Sequence, residues 1–225
     1  MKRSALPEIA AVLHRRHEAE GVTFHIGCKV AALVGDVQVN GVALEDGRVI
    51  PADIVMVGIG VRPDLRWLEG SGLETHRGVR VDESCRSSAD NVYAAGDVAE
   101  LRHPLLDGWQ VLESVQNAVS QGKIVAANII GKNETYSEAP WFWSEQYDCR
   151  LQMAGIPRTG DRLVRRINTE TDGLSVFSLS GSRLSAVQSI NSPRDYMAGR
   201  QLITHQVDVS ENALADHRYN LKDLL

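Results

Sequence analysis

Apolar residues first recur along the chain with a helical rhythm. In residues 7–20, Ile9, Val12 and Leu13 fall on one face, Pro7 suits a first turn and Gly21 a stop, which predicts an amphipathic helix. The period then drops to two. Val22, Phe24 and Ile26 alternate with polar neighbours in VTFHI, the pattern of a strand with one buried face. Further on, β-branched stretches are separated by Asn40-Gly41 and Asp46-Gly47, both hairpin-turn pairs, so an antiparallel meander is predicted. It closes on DIVMVGIG, an unbroken apolar run of the kind buried on both faces of a sheet. Pro63 in VRPD marks the crossing into a new unit.

GVRVDESCRSSADNVYAAGD reads as two short strands around a polar loop. Residues 109–131 keep a helical period through Leu112, Val115, Val119, Ala126 and Ile130, and Gly131 suits the C-terminal end of that helix. From Pro140 the texture becomes one of short alternating strands (WFWSEQYDCRLQMAG, DRLVRRIN, LSVFSLSGSRLSAVQSIN), with Ser180-Gly181 in a hairpin turn. A last helix is predicted to start with Ser192 as its cap, Pro193 in first position and Asp195 three residues on. Residues 135–225 are thus expected to form a compact unit of mostly antiparallel strands with one or two terminal helices. There is no internal repeat and no low-complexity segment.

Composition narrows the classes. With 225 residues the chain can bury a substantial core, and a formal net charge of -5 with a pI near 5.8 gives no reason to expect nucleic acid as a partner. No apolar run reaches the roughly 18–20 residues needed to cross a bilayer. The opening MKRSALPEIAAVLHRRHEAEG lacks the apolar core and cleavage site of a secretory signal, so a cytoplasmic protein with no membrane partner is the expectation. Cys28, Cys85 and Cys149 lie far apart without a C-x-x-C pair, which argues for reduced thiols over a disulfide scaffold, a zinc ribbon or a redox dithiol. His14 and His17 form an H-x-x-H without further ligands at zinc spacing, so no metal is expected there. VLESVQ holds a serine but not the G-x-S-x-G elbow of a hydrolase. Residues 150–200 carry eight arginines against four acids, a basic stretch that reads either as a solvated face or as a dock for an acidic partner.

The stretch NVYAAGDVAE sets a carboxylate, Asp97, directly after Gly96 at the tip of a β-compatible run. A glycine there permits close backbone approach, and the carboxylate is an acceptor suited to ligand hydroxyls; taken alone, the pair reads first as a turn or a helix cap. Its context is larger. DIVMVGIGVRPD, GVRVDESCRSSADNVYAAGDVAE, LESVQNAVSQGKIVAANIIG and PWFWSEQYDCRLQMAG follow one another in this order. Together they resemble the C-terminal half of the FAD-dependent ferredoxin reductases of the putidaredoxin, rubredoxin and biphenyl-dioxygenase reductase type, in the pyridine nucleotide-disulfide oxidoreductase superfamily. The Gly-Asp segment is common to that superfamily, whereas ESVQNA with PWFWSEQYD is specific to the ferredoxin-reductase branch and disfavours a flavin disulfide reductase or peroxidase relative.

The resemblance implies an α/β fold. It would be a partial two-dinucleotide-binding-domain flavoprotein, with Rossmann-like segments and an antiparallel meander, followed by an α+β C-terminal interface domain. Residues 1–62 correspond to the remainder of the NAD(H)-binding domain, 63–134 to the returning segment of the FAD-binding domain and 135–225 to the interface domain. It also implies electron transfer from NAD(P)H through FAD to a [2Fe-2S] ferredoxin or rubredoxin. Asp97 matches the aspartate that hydrogen-bonds the FAD ribityl chain, with Gly96 beside it. Val115 matches the position whose backbone N–H meets the flavin pyrimidine oxygen, and Glu113 and Ser114 are implied neighbours of the nicotinamide. Trp143 matches a tryptophan close to both rings, and Gly58 and Gly60 the short glycine turn linking the NAD and FAD domains.

One feature of such proteins is absent from this sequence. Pyrophosphate binding needs G-x-G-x-x-G between a strand and a helix, but GIGVRP has Pro63 and GSGLET has Thr75 where the third glycine belongs. The chain therefore reads as N-terminally truncated relative to the family, and a shortened chain, an internal start or a split gene would each look like this. Three expectations follow: FAD is bound weakly or not at all, the isolated chain is inactive, and apolar strands left without neighbours promote self-association. The alternative of a different class is a non-catalytic C-terminal fragment acting as an interaction or assembly module.

Overall fold

The structure is a computed structural model and describes residues 5–225; the first four residues of the predicted 1–62 segment lie outside it. Residues 15–62 form one compact unit, and residues 63–225 with the chain up to His14 form another. The first element is α1 (Pro7–Ala19), as its apolar spacing predicts, with Ile9 and Leu13 buried and Gly21 at a φ of 86° just beyond its end.

The smaller unit is built on an antiparallel meander of β1 (Val30–Val34), β2 (Gly41–Leu44) and β3 (Val49–Pro51). Asp46-Gly47 makes the second turn. Gly47 takes a φ of 89°, and the Asp46 carboxylate accepts the Arg48 backbone N–H at 3.1 Å and its guanidinium at 2.7 Å. Asn40-Gly41 does not make the first turn: the chain loops through residues 35–40 and Gly41 is already in β2, where a Cβ would stand 3.0 Å from Val49 Cγ1. Two predicted strands are also absent. VTFHI is irregular, its Phe24 ring set edge-on against His17 at 6.1 Å. DIVMVGIG is irregular and exposed rather than buried, with Met56 at 93% and Ile59 at 89% of full exposure. A strand exists by pairing along an edge, and among the described residues nothing pairs with 53–60.

The larger unit contains two sheets. In the first, β4 (Val79–Val81) runs parallel to β5 (Ala99–Arg102), which pairs antiparallel with β6 (Trp109–Val111). Two expectations need correction here. Residues 91–95 contribute only a single bridge, Tyr93 to Arg86, so Asp97 precedes a strand instead of ending one. The long helix, α2 (Val115–Ile129), begins six residues later than its apolar period suggests, because Trp109–Val111 is drawn into the sheet beside β5. Its end is as expected: Gly131, at a φ of 83°, donates to the Asn128 carbonyl and Lys132 donates to that of Ala127.

The second sheet is wholly antiparallel, in the order β7 (Trp141–Gln146), β8 (Cys149–Gly155), β11 (Arg183–Ile190), β10 (Gly173–Ser180), β9 (Arg162–Asn168). Alternation along these strands feeds two cores. Leu151, Met153, Val176 and Ile190 meet Ile9 and Leu13 of α1 on one face. Phe177, Leu179 and Val187 meet α3 (Pro193–Thr204), through Ala198, Leu202 and Ile203, on the other. Ser180-Gly181 turns β10 into β11, with Gly181 at a φ of 66°. Ser192 stands at the start of α3 but its hydroxyl does not cap the helix, and Asp195 is turned away from a capping box to pair with Arg166 at 3.0 Å. A short helix, α4 (Glu211–Ala215), follows, capped by the Ser210 hydroxyl.

Candidate functional site

Gly96 has a φ of 75°, a conformation that favours glycine, and opens a three-residue 3-10 turn through Val98. Its N–H donates to Gln121 Oε1 at 2.6 Å, and a Cβ on it would stand 3.4 Å from the Ala118 Cβ. The turn is thereby seated on α2, and Asp97, its middle residue, projects into solvent.

The start of α2 is organised by Ser114. Its backbone is extended, its hydroxyl accepts the Asn117 N–H at 3.2 Å and its carbonyl accepts that of Ala118 at 3.0 Å. The Asn117 side chain donates to the Leu112 carbonyl at 2.8 Å, closing the loop that leads into the helix. The Val115 and Gln116 amides, first and second in the helix, have no intrahelical acceptor and give this end its partial positive charge. Val115 itself is exposed, as is Glu113 just before the cap. The structure therefore brings Gly96 and Asp97 together with the helix that begins at Ser114 and Val115. Trp143 lies on β7, which packs beside α2; its backbone pairs with Gln152 and its indole is half exposed. Gly58 and Gly60 lie in the exposed irregular segment of the smaller unit, Gly60 at a φ of 95°, with nothing near either Cβ position.

Around this site the electrostatics are those of burial. Glu100, on β5 just beyond the turn, is almost fully buried; its carboxylate accepts the Arg77 N–H at 3.3 Å and lies 3.1 Å from His76 Nδ1 and 3.7 Å from Arg80 Nε. Burial pushes the Cys85 thiol and the Tyr136 hydroxyl each up to about 12. It pushes His103, edge-on to the Tyr136 ring at 5.0 Å, below its ordinary value. None of the three cysteines is in a disulfide. Among the described residues no group of three or more His, Cys, Asp or Glu side chains is placed to hold a metal ion, and no helix is long and apolar enough to cross a membrane.

Sequence reasoning misses the residues that build the site from behind. The buried side chains of α2 are amides, Asn117, Gln121 and Asn128, while Val115, Val119 and Ile130 are exposed. The signal is their spacing, four and then seven residues apart on one helix face, but a polar stripe of that kind reads as the solvent side. Each amide ties loop backbone to the helix. Asn128 alone donates to the Ser84 and Glu134 carbonyls at 2.9 Å and accepts the Glu134 N–H at 2.6 Å. Two amide atoms, Gln121 Nε2 and Asn117 Oδ1, are buried without a partner among the described residues.

Comparison with known proteins bears on the same segments. Residues 1–122 match the pyridine nucleotide-disulphide oxidoreductase family profile and residues 141–225 a reductase C-terminal profile. The chain is 39% identical, over its whole length, to 55% of the 5,5'-dehydrodivanillate O-demethylase ferredoxin reductase subunit of Sphingobium sp.. In structure it matches the ferredoxin reductase for the CYP199A2 system from Rhodopseudomonas palustris, with a TM-score of 0.92 and 33% identity, covering 99% of this chain and 55% of that one. It likewise matches the covalent putidaredoxin reductase–putidaredoxin complex, with a TM-score of 0.93 and 33% identity, covering 100% of this chain and 54% of that one. The chain spans about half the length of the curated relatives it matches.

Proposed function

Because the chain belongs to the pyridine nucleotide-disulphide oxidoreductase family, we propose that it serves an FAD-dependent NAD(P)H:ferredoxin reductase of the cytoplasm, which delivers electrons to a [2Fe-2S] ferredoxin or rubredoxin. The single observation that carries the reading is the Gly96–Asp97 turn pinned to α2, within a chain whose relatives are ferredoxin reductases. The residues present fit the flavin. An open carboxylate, the uncapped amides of a helix N-terminus and an unpartnered buried amide lie on one helix and the turn packed against it. Bound FAD would supply the conversion of a two-electron donor's equivalents into single electrons.

The chain's own residues then position and shield. Asp97 accepts hydrogen bonds from the ribityl hydroxyls. The Val115 amide, at the positive end of α2, donates to the pyrimidine edge and favours negative charge there. Glu113 and Ser114 border the nicotinamide, Trp143 excludes water beside the rings, and Gly58 and Gly60 form the turn that leads from one dinucleotide-binding region to the other. In the same reading, residues 1–62 belong to the NAD(H)-binding domain, 63–134 to the FAD-binding domain and 135–225 to the interface domain that faces the iron–sulfur protein.

Flavin fluorescence tests this directly. Titrating FAD with the purified chain should quench its emission reversibly and weakly, with the flavin lost on dialysis, since the chain has no glycine turn for the pyrophosphate. Asp97→Ala should weaken the binding about tenfold, the worth of a charge-assisted hydrogen bond. An Asp97→Ala titration that overlays the quenching of the parent would leave the interaction-module alternative in possession of the field.

A further inference from the structure

We infer that Gln121 is a positioning residue for Asp97: by accepting the Gly96 N–H it fixes where the Asp97 carboxylate stands on α2. Gln121 is 0% exposed, and the one hydrogen bond of its side chain within the described residues is the 2.6 Å contact to Gly96. A glutamine is an expensive choice for such a place. Methionine or leucine would fill a similar volume with no amide to desolvate, so the buried amide is explained by what it binds.

Its hydrogen bond also falls at the point where Asp97 has least other support. Asp97 is exposed and its side chain makes no hydrogen bond or ion pair within the described residues, so its direction is set by the backbone of a three-residue turn. Gly96 is the first residue of that turn, and its left-handed φ and its approach to Ala118 bring the turn onto the helix. Gln121 is the only polar link that holds it there among the described residues. Small misplacements of a ligand-orienting group are costly, on the order of a hundredfold for 1 Å.

The other end of the same amide points to a ligand independently. Gln121 Nε2 is buried and unpartnered, as is Asn117 Oδ1 one helical turn earlier. A buried N–H without an acceptor is rarely left so in a folded protein. Gln121 therefore presents one end to the turn and keeps a donor for whatever occupies the site beside it. That the occupant is FAD rests on the reading proposed above; the pinning of Gly96 does not.

Two substitutions separate these roles. Gln121→Met removes both ends at similar length, and Gln121→Glu keeps an acceptor for Gly96 while removing the N–H. In the ligand-free 225-residue chain, amide hydrogen exchange at Gly96 should accelerate about tenfold in Gln121→Met, the loss of one net hydrogen bond, and return toward the parent rate in Gln121→Glu. Exchange elsewhere in α2 serves as the check that the helix is intact. In FAD titrations, Gln121→Met should weaken binding about tenfold in the parent and by clearly less in an Asp97→Ala background, since the share of its effect that passes through that carboxylate is then already lost. Unchanged Gly96 exchange in Gln121→Met overturns the inference, and so does a double variant whose losses multiply. If the parent itself binds no FAD, Gly96 exchange alone decides whether Gln121 pins the turn.

Discussion

Arg166 shows how much one side chain can hold. Its guanidinium, 6% exposed, pairs with Asp195 and donates to five backbone carbonyls, those of Ala213, Leu214, Asp216, His217 and Tyr219, at 2.6–3.3 Å. Asp195 in turn accepts the Ser175 hydroxyl at 2.9 Å. Arg166→Met should cost about 3–5 kcal/mol, because it leaves a partly buried carboxylate unpaired and strips the carbonyls of their donor. Urea denaturation would measure it, and limited proteolysis should open the 213–219 segment first; an unfolding midpoint within error of the parent would refute the assignment. In the sequence Arg166 is one of eight arginines in a basic stretch, with nothing to set it apart. The structure pairs Arg150, Arg158, Arg162, Arg165, Arg166, Arg183 and Arg200 with acids, several of them outside that stretch. Pairs between residues as distant as Glu8 and Arg165 are set by tertiary packing, which a window of local charge does not record.

At the scale of elements, α3 lies close on β11 because Gly199 has no side chain. A Cβ there would stand 2.8 Å from Val187 Cγ1 and 3.0 Å from its Cβ, atoms with little freedom to move aside. Gly199→Ala should destabilise by about 1–3 kcal/mol through overpacking, and Val187→Ala in the same chain should recover part of that loss. Thermal melts of the two single variants and the double decide it: simple additivity would show that the two positions do not touch. At the start of α2, Ser114→Ala should cost about 1 kcal/mol by removing the cap on Asn117, again read from melts. Which elements were legible in the sequence follows from where their partners lie. The five strands β7–β11 pair mostly with sequence neighbours, so their pattern is self-contained. DIVMVGIG is as apolar as any of them, yet nothing among the described residues pairs with it, and composition does not reveal whether a partner strand is present. The buried amides of α2 mislead for the opposite reason, since they satisfy loop backbone and so invert the usual apolar-in rule.

For the molecule as a whole, the buried groups define a pH window. His103 sits below its ordinary 6.5 because burial disfavours the imidazolium, with a smaller opposing pull from the Glu138 backbone. The unfolded chain thus takes up this proton at a higher pH than the folded one, and stability falls as pH drops through 6.5 toward the depressed value. Cys85 and Tyr136 act on the other side: unfolded they ionise near 9.0 and 10.0, folded only near 12, so stability falls as pH rises above 9.0. Melting temperature against pH should show a plateau between about 6.5 and 9, and His103→Asn should flatten its acid shoulder above the carboxylate range. An acid shoulder that survives His103→Asn would assign it elsewhere. The exposed run from Ile54 to Val61 sets a second property. Apolar surface of this extent on an unpaired extended segment promotes association, so light scattering should report growth in size with concentration, reduced by Met56→Lys with Ile59→Lys. A monodisperse monomer at high concentration would count against it.

The Arg166 lock has a consequence in the order of synthesis. Residues 213–219 leave the ribosome after every strand of the sheet they fasten, so a nascent chain holds its five strands and α3 while the guanidinium still lacks the carbonyls it is shaped to grip. Until the tail arrives, the charge has Asp195 for company and little else. A chain released before residue 213 would carry a nearly finished sheet and a frayed, charged seam, the kind of lesion that cellular proteases recognise. Residues 213–219 thus close a seam that the strands before them leave open.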